Sequence, residues 1–474
     1  MHIKQETGLH FVGIGGIGMS GIAEVFLNQG YRVSGSDLAE SETTRRLADL
    51  GIQVSIGHRA ENVDEASVVV ISSAVKANNP EVLEAKRLRI PVIPRAEMLG
   101  ELMRGKVGIA VAGTHGKTTT TSMLACVLME AEIDPTIVIG GKVNSLGGNA
   151  KLGQGRFVVA EADESDGSFL HLPATFGVVT NIDNDHLDHF GNLATIEEAF
   201  IGFVGKLPFY GLVALCGDDP GVKRCLSRLT KPYLTYGFSE NSDFYATQWA
   251  SEGLASRFQV IHRNGPEGAK EELGEFHLSV PGQHNVLNAL ATIAIATRLD
   301  VPLEKIKKAL REFRGVRRRF DIRWQDSKTQ RMIVDDYGHH PTEIAATLSA
   351  ARKVWPGRVV AVFQPHRYSR TLHCKDGFLS AFSLSDVVVL TDVYAAGEEP
   401  IPGVDAESLA NEIKKLAHPN QTVIYAGDLK STQKIVSGLL SQGDLVICLG
   451  AGTITKLPDL LISDLKTHDA INHG

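Results

Sequence analysis

The stretch Ala110-Val-Ala-Gly-Thr-His-Gly-Lys-Thr-Thr-Thr-Thr121 decides the fold of the middle of this chain. An apolar run ends at Gly113, and an apolar helical pattern begins after Lys117. The order strand, glycine loop and helix is typical of a loop that holds a nucleotide triphosphate, because backbone N–H groups and the helix N-terminus point at phosphate oxygens. The pattern predicts that Lys117 reaches the outer phosphates and that the Thr118 hydroxyl ligates Mg²⁺.

The loop is shorter than the full phosphate-loop pattern. That pattern places a glycine five residues before Gly116, and Val111 stands there. A chance Gly-Lys-Thr on a protein surface is the alternative, and the preceding strand and following helix argue against it. We expect the triphosphate to contact Gly113, Thr114, His115, Gly116, Lys117, Thr118 and Thr119, and the family resemblance described below implies that it is ATP.

The composition is that of a globular chain with several domains. Its 474 residues predict about three domains, since a domain has roughly 100–200 residues. The hydrophobic fraction of 43% permits large cores, and the net charge of −7 argues against a nucleic-acid-binding protein. The five cysteines form no Cys-x-x-Cys pair, which indicates reduced thiols and a cytoplasmic location. Neither a signal segment nor a long apolar run is present, so we expect a protein that is not membrane-embedded.

The first 105 residues carry a second glycine loop, Gly13-Ile-Gly-Gly-Ile-Gly18, between a predicted strand and a predicted helix. The next strand ends at Asp37, as in a dinucleotide-binding fingerprint. The loop itself requires only a diphosphate on a helix N-terminus, so NAD and a UDP-sugar are both open, and glycine packing is a third possibility. Ligands of parallel sheets lie beyond the carboxyl ends of the strands. We expect this ligand to contact Gly13, Gly15, Gly16, Gly18, Ser36, Asp37, Ser72 and Ser73.

Two acidic clusters follow predicted strands in the middle of the chain. Glu161-Ala-Asp-Glu-Ser-Asp166 holds four carboxylates, and residues 181–189 hold three acids and two histidines. Carboxylate oxygens favour Mg²⁺, whereas a structural zinc site would require cysteines that are absent here. The first cluster is either a magnesium site or a solvated acidic turn. His186 contacts a second Mg²⁺ or a phosphate, or it caps its own loop.

Two motifs near the end of the middle region carry groups suited to a nucleotide. Asn285 and Asn288 share one face near a helix start, where two amides suit a purine or a ribose. Ordinary capping of the helix is the alternative. The arginines at 317–319 form either a solvated basic turn or a clamp for phosphate.

The last third of the chain repeats the alternation of strands and helices and carries two polar clusters. Residues 335–343 end a strand and open a helix with two aspartates, a tyrosine and two histidines, followed by proline and glutamate. Arg367 and Arg370 lie three residues apart after the next strand, a fork suited to a carboxylate. The clusters lie where ligand sites of parallel sheets occur.

These motifs, in this order along nearly the whole chain, resemble those of the Mur ligase family. The resemblance rests on residues 13–20, 113–119, 161–166, 284–288, 318–320, 335–343 and 363–371. It implies an α/β protein with three domains. These are a Rossmann-like UDP-binding domain at 1–105, a P-loop ATPase-like central domain at 106–314 and a Rossmann-like C-terminal domain at 315–474.

The resemblance also implies an activity and its residues. It implies an ATP-dependent ligase that joins L-alanine to the carboxylate of UDP-N-acetylmuramate through an acyl phosphate, in cytoplasmic peptidoglycan synthesis. The implied catalytic residues are Lys117, His186 and Arg319. The implied Mg²⁺ ligands are Thr118, Glu161 and His186. The implied further contacts of ATP are Asn285, Asn288, Arg319 and Asp336. The implied alanine pocket consists of Tyr337, His339, Arg367 and Arg370.

Three rival functions are open at this stage. A ligase that adds a whole tripeptide to the same UDP-sugar shares most of these motifs, and the Gln-Pro-His-Arg-x-x-Arg run at 364–370 favours a single amino acid. An NAD-dependent oxidoreductase leaves the ATP loop and the acidic clusters without a role. A non-catalytic nucleotide-binding regulator is the third. Both a monomer and a homodimer fit the sequence.

Overall fold

Three β-sheets alternate with helices along the chain and confirm the predicted α/β class and three-part architecture. The computed structural model describes residues 7–72, 74–143, 148–165, 167–263 and 268–472, so the predicted crevice residue Ser73 lies outside the described part. The chain packs as two compact units. The first comprises Met1–Thr247, Gln259–Phe276 and Leu287–Phe313, and the second comprises Gln248–Phe258, His277–Val286 and Arg314–Gly474.

The first sheet is built from five short parallel strands, of which the central β1 and β4 are the most apolar because central parallel strands are covered on both faces. The strands are β1 (Gly8–Val12), β2 (Arg32–Asp37), β3 (Gln53–Ile56), β4 (Val68–Ile71) and β5 (Val92–Pro94). The helices are α1 (Ile17–Asn28), α2 (Glu42–Asp49), α3 (Pro80–Arg87) and α4 (Arg95–Met103), with a 3-10 turn at Ala60–Val63. All strands are parallel, in the order β3-β2-β1-β4-β5. The order reverses between β1 and β4, where sheets of this kind bind their ligands.

The second sheet has ten strands and carries the phosphate loop at its centre. The strands are β6 (Val107–Ala112), β7 (Thr136–Val143), β8 (Gly148–Lys151), β9 (Phe157–Glu161), β10 (Phe176–Val179), β11 (Leu212–Cys216), β12 (Tyr233–Gly237), β13 (Phe244–Glu252), β14 (Ala255–Arg263) and β15 (Lys270–Leu278). Their order is β15-β14-β13-β12-β11-β10-β6-β9-β7-β8. Because β6 lies between β10 and β9 and is parallel to both, the loops that follow these three strands leave the sheet at one edge.

The helices of this region are α5 (Lys117–Glu130), α6 (Leu187–Phe190), α7 (Leu193–Gly205), α8 (Pro220–Leu226), α9 (Gln283–Arg298) and α10 (Leu303–Glu312), with a 3-10 turn at Ser168–His171. Helix α5 is buried on most sides, as its apolar residues predict. A continuous core joins the first sheet to the second and includes Phe26, Met103 and Phe169. The two sheets of the first unit therefore form one packed body.

The third sheet belongs to the second unit. Its strands are β16 (Asp321–Asp326), β17 (Arg331–Asp336), β18 (Val359–Phe363), β19 (Val387–Thr391), β20 (Thr422–Gly427) and β21 (Leu445–Leu449). Its helices are α11 (Pro341–Val354), α12 (Tyr368–His373), α13 (Lys375–Ala381), α14 (Ala406–Leu416), α15 (Leu429–Leu439) and α16 (Leu457–Asn472), with a 3-10 turn at Thr453–Lys456. The order is β16-β17-β21-β18-β19-β20, with β16 antiparallel to β17. A separate apolar core covers each face.

Two expectations about the whole chain can be compared with the structure. The five cysteines, all of them within the described residues, form no disulfide in the structure, and the redox state of their thiols stays a prediction. Among the helices that the structure describes, none has the length and apolar character needed to cross a membrane.

Candidate active site

The phosphate loop has the predicted strand, glycine loop and helix, and its two glycines cannot be replaced without strain. Gly113 and Gly116 have φ angles of +126° and +84°, which other residues rarely adopt. A Cβ on Gly113 would lie 2.0 Å from the Thr180 hydroxyl, and one on Gly116 would lie 2.6 Å from Asn288 Oδ1. The loop therefore approaches its neighbours at distances that only glycine allows.

Lys117, the first residue of α5, folds back over the loop. Its Nζ donates hydrogen bonds to the carbonyls of Gly113 at 2.6 Å and Thr114 at 3.1 Å, and to Glu164 Oε1 at 2.8 Å. Burial lowers the pKa of Lys117, but nearby carboxylates, Glu164 first, outweigh it and raise the pKa above its ordinary value. The loop therefore holds a cation at the position where the sequence pattern predicts phosphate.

Glu164 is the principal site residue that the sequence did not single out from its acidic cluster. Its side chain is 2% exposed, and its Oε1 lies 3.9 Å from His186 Nε2. Burial raises the pKa of Glu164 to about 7, against the opposing effect of Lys117. Its Oε2 is buried and accepts no hydrogen bond within the described part of the chain. Glu164 differs from the other acidic residues after β9 in the burial of its side chain, and the local sequence pattern does not predict that burial. Asp166 of the same cluster lies outside the described residues.

The residues that follow β10 hold the phosphate loop in place through hydrogen bonds. The His115 N–H donates to Asn181 Oδ1 at 2.8 Å, and the Thr180 hydroxyl donates to the His115 carbonyl at 2.5 Å. The Asp183 N–H donates to the Thr114 hydroxyl at 3.0 Å, and His115 Nε2 lies 3.1 Å from Asp183 Oδ2. These bonds fix the direction of the loop backbone, a function of Thr180, Asn181 and Asp183 that the sequence did not reveal.

The two asparagines of α9 differ in their surroundings. Asn288 Oδ1 accepts a hydrogen bond from the Thr120 hydroxyl at 3.1 Å and faces Gly116 of the loop. Asn285 Nδ2 donates to the Pro281 carbonyl at 2.7 Å near the start of α9, a contact in which the amide acts as a donor and does not cap the backbone N–H groups. The structure thus brings Asn288 to the phosphate loop, while the nucleotide contact of Asn285 stays a prediction.

The predicted metal ligands lie around the start of α5. Thr118 is in the first turn of that helix, and Glu161 ends β9, where its Oε1 accepts a hydrogen bond from the Gly140 N–H at 2.9 Å. His186 has a φ of +55°, a strained conformation that is frequent at functional sites. A hydroxyl, a carboxylate and the buried, unsatisfied Oε2 of Glu164 make a hard, anionic donor set, which fits a divalent cation.

In the first sheet the glycine loop is held by the end of β2. The Gly13 N–H donates to the Ser36 carbonyl at 2.8 Å, and the Gly15 N–H donates to Asp37 Oδ2 at 2.8 Å. Asp37 therefore uses one oxygen to shape the loop. The Ser36 side chain is buried and donates to Glu81 Oε2 at 2.7 Å, so it faces an internal polar network. Its contact with a ligand remains a prediction.

The other predicted crevice residues lie on either side of the point where the strand order reverses. Gly16 precedes α1 as its N-cap, and Ser72 follows β4. A Cβ on Gly18 would lie 3.2 Å from Nη1 of Arg95. Arg95 is a residue of this crevice that sequence analysis did not select, since a single arginine after a strand carries no motif.

In the second unit Arg319 and Asp336 lie in one cluster at the end of β17. The Asp336 carboxylate accepts hydrogen bonds from backbone N–H groups, among them that of Phe320 at 2.7 Å. Burial raises the pKa of Asp336 to about 6, and Arg319 opposes the shift. Arg319 Nη1 lies 3.2 Å from Glu343 Oε1, and its guanidinium lies 5.0 Å from the ring centre of Tyr337. Arg319 is therefore held between a carboxylate and an aromatic ring.

The predicted alanine pocket is assembled from the loops after β17 and β18. His339 Nδ1 lies 3.0 Å from the Tyr337 carbonyl, and the rings of His339 and His366 are 5.8 Å apart. Arg370 Nη1 lies 3.4 Å from His366 Nδ1, and Arg367 has a strained φ of +67°. Burial and the two arginines lower the pKa of His366 to about 4. The four predicted residues share one edge of the sheet, with a neutral His366 that the sequence did not identify as a site residue.

Known proteins match the chain over nearly its whole length. Three family models match in succession, namely "Mur ligase family, catalytic domain" at residues 8–107, "Mur ligase middle domain" at 111–296 and "Mur ligase, glutamate ligase domain" at 318–452. UDP-N-acetylmuramate–L-alanine ligase of Trichlorobacter lovleyi is 55% identical over 96% of this chain and 98% of its own length.

Two solved structures separate the nearest rivals. UDP-N-acetylmuramate-alanine ligase MurC from Thermotoga maritima is 32% identical, with a TM-score of 0.82 over 97% of this chain and 99% of that one. A murein peptide ligase from Psychrobacter arcticus is 25% identical, with a TM-score of 0.70 over 97% of this chain and 98% of that one. The chain is thus more similar to the alanine ligase in both sequence and fold.

Proposed function

Because the chain belongs to the Mur ligase family, we propose that its Lys117 loop is the place where ATP activates a carboxylate. The enzyme is an ATP-dependent ligase that joins L-alanine to the carboxylate of UDP-N-acetylmuramate in peptidoglycan synthesis. The main support for placing ATP activation at this loop is the Lys117 cation, whose Nζ lies inside the glycine loop, 2.8 Å from the buried Glu164 carboxylate.

The activation step requires charge neutralisation. A carboxylate is a poor acylating agent, so ATP first converts it to an acyl phosphate, and two anions must meet for that transfer. Lys117 stabilises the charge that develops on the transferred phosphate. Thr118, Glu161 and His186 would hold Mg²⁺, which when bound neutralises further phosphate charge. Glu164 keeps Lys117 charged and directed along the loop.

The amide-forming step requires orientation of the amine. Arg367 and Arg370 bind the carboxylate of alanine, and Tyr337 and His339 line the same pocket. The free amine then attacks the acyl phosphate, and the tetrahedral intermediate expels phosphate. Fixing the amino acid by its carboxylate contributes to the rate through proximity. By the family resemblance Arg319, with Asp336, acts on the ATP side, together with Asn285 and Asn288.

The sugar nucleotide is assigned to the first sheet. The loop from Gly13 to Gly18 takes the diphosphate, because its N–H groups and the start of α1 favour an anion. We place the domain limits at 1–105, 106–314 and 315–474, and the three matched family models support this division. The nucleotide substrates and the lack of a disulfide among the five described cysteines support action in the cytoplasm.

Phosphate release tests the proposed function. The purified protein is incubated with ATP, Mg²⁺ and UDP-N-acetylmuramate, and each amino acid is added in turn. Release that depends on L-alanine is expected, with little or none from the tripeptide L-alanyl-γ-D-glutamyl-meso-diaminopimelate. Activity with the tripeptide alone would overturn the assignment in favour of the recycling ligase. An absorbance change with NADH, without need for ATP, would indicate an oxidoreductase instead.

A further inference from the structure

The side chain of Arg95 lies between the glycine loop of the first sheet, residues 13–18, and the loop that follows β9 in the second sheet, residues 162–165, which we call the acidic loop. Arg95 is the first residue of α4 and directly follows β5, so it stands at the carboxyl edge of its sheet. A Cβ on Gly18 would lie 3.2 Å from Arg95 Nη1 and 3.3 Å from its Cδ. Glycine at position 18 thus leaves room for the arginine to cross the start of α1.

The far end of the side chain is anchored in the acidic loop. Arg95 Nη2 donates a hydrogen bond to Asp163 Oδ2 at 2.9 Å, and Asp163 Oδ1 accepts from the Ser165 N–H at 3.1 Å. The Asp163 carboxylate therefore sets the direction of the guanidinium.

The guanidinium keeps further donors for a ligand. It presents five N–H donors in a planar fork. Within the described part of the chain, the bond to Asp163 is the single hydrogen bond that this side chain donates. Arg95 and Asp163 are 21% and 40% exposed, so the pair is reachable from solvent. A pair this exposed contributes little to stability, which leaves a role in binding.

The first unit does not need this pair to hold its two sheets together. Asn149 in β8 is buried and donates a hydrogen bond to the Ile17 carbonyl at the start of α1, at 2.7 Å. The continuous core described above adds to that contact. Removing the Arg95 charge should therefore leave the fold intact.

We propose that Arg95 binds the diphosphate of the sugar nucleotide and, anchored by Asp163, directs that substrate from the glycine loop towards Lys117. The proposal rests on the proposed function, since it takes UDP-N-acetylmuramate as the substrate. The guanidinium of Arg95 contacts both the glycine loop, which we assign to the diphosphate, and the acidic loop, which lies beside Lys117. Arg95 is thus a substrate-binding residue, and Asp163 is a positioning residue that acts through it.

Titration calorimetry with UDP as the probe tests the proposal without turnover. Arg95→Ala is expected to raise the Kd of UDP at least about tenfold, the effect of losing a hydrogen bond to a charged group. Arg95→Lys, which keeps the charge without the fork, is expected to fall between wild type and Arg95→Ala. Arg87→Ala breaks an exposed ion pair with Glu84 on α3 and should leave the Kd unchanged. Thermal melting of each variant checks the fold.

Substitution of Asp163 distinguishes a role in positioning Arg95 from a purely structural role. Asp163→Asn is expected to weaken UDP binding less than Arg95→Ala does and to lower kcat more than it raises the KM of the sugar nucleotide. The double variant should bind UDP no more weakly than Arg95→Ala alone, because Asp163 acts through Arg95. Additive losses would contradict the proposal.

The outcomes distinguish this inference from the proposed function. Wild-type protein that fails to bind UDP would overturn the proposed function and with it the inference. Wild type that binds UDP, together with an Arg95→Ala Kd within about twofold of it, would overturn the inference alone. Equal weakening of UDP and UDP-N-acetylmuramate supports contact with the diphosphate. Weakening of UDP-N-acetylmuramate alone would place the arginine on the sugar's carboxylate and contradict the proposal.

Discussion

At the scale of single residues, the site depends on a lysine that is paired before any substrate arrives. Lys117 has three acceptors, two loop carbonyls and the buried Glu164. A triphosphate that enters the loop must replace at least part of this set. The loop is therefore held in shape by the same side chain that we propose binds phosphate.

Lys117→Ala is expected to lower the rate of alanine-dependent phosphate release by about 10²–10³-fold or more, since in the proposed function Lys117 is the cation that stabilises the transferred phosphate. The measurement is kcat/KM for UDP-N-acetylmuramate. Lys151→Ala, which breaks the exposed pair with Asp134, is the control and should keep its activity. A Lys117→Ala protein that retains most of its activity would point to a different phosphate site.

Glu164→Gln is expected to change how stability depends on pH. The Glu164 pKa is about 7 in the folded protein against an ordinary 4.5, so the unfolded chain releases its proton first and the folded state loses stability as pH rises between these values. The Glu164→Gln variant has no carboxyl group to titrate, so it does not lose stability in this way as pH rises. Relative to wild type its free energy of unfolding should therefore gain roughly 3 kcal/mol between acidic and neutral pH. Urea denaturation at about pH 5 and about pH 8 measures it, and parallel pH profiles would contradict it.

At the scale of elements, the order of the strands builds the site. β6 lies between β9 and β10, so the phosphate loop, the acidic loop and the His186 loop leave the sheet together. The polar side chains come from loops because the strands themselves are buried. The same strands fix the spacing of those loops.

Gly116→Ala is expected to disturb the phosphate loop. Its φ is +84°, and the added methyl would lie 2.6 Å from Asn288 Oδ1, so ATP binding should weaken and stability should fall by about 1–3 kcal/mol. Gly205→Ala, in α7 with open space around it, is the matched control. There alanine should be neutral or stabilising by up to about 1 kcal/mol, because glycine is unfavourable in a helix. Thermal denaturation and calorimetry with an ATP analogue test both variants.

The sequence predicted the elements of the site better than their contacts. The strand, loop and helix around Lys117 were predictable because the pattern of apolar residues is local. Glu164 and Arg95 were missed because their importance comes from burial and from contacts between sheets. Ser36 shows the reverse case, since its position at a strand end predicts a ligand while its side chain bonds to the buried Glu81. The sequence pattern predicts the phosphate loop, whereas tertiary packing determines which side chains face that loop.

At the scale of the whole molecule, the first unit joins two sheets through a shared core and a few specific hydrogen bonds. Asn149→Ala should remove one buried hydrogen bond to the Ile17 carbonyl, which keeps the bond from the Ser20 hydroxyl, and lower the free energy of unfolding by about 0.5–1.5 kcal/mol. Faster amide exchange at the start of α1 is the local signature. Asn192→Ala removes the cap of α7 and should cost about 1 kcal/mol without altering exchange in α1. Equal amide exchange rates at the start of α1 in the two variants would contradict a role of Asn149 in holding that helix.

The second unit is discontinuous in the chain, and this bears on how the protein is made. Besides the segment from Arg314 onward it contains Gln248–Phe258 and His277–Val286. Lys353 lies 4.0 Å from the ring centre of Trp249, and Leu254 packs against the apolar core of the third sheet. On the ribosome these two segments emerge well before that sheet exists. The nascent chain must therefore carry apolar surface that finds its partners only when synthesis is almost complete, whereas the first sheet can close as soon as Pro94 has left the exit tunnel.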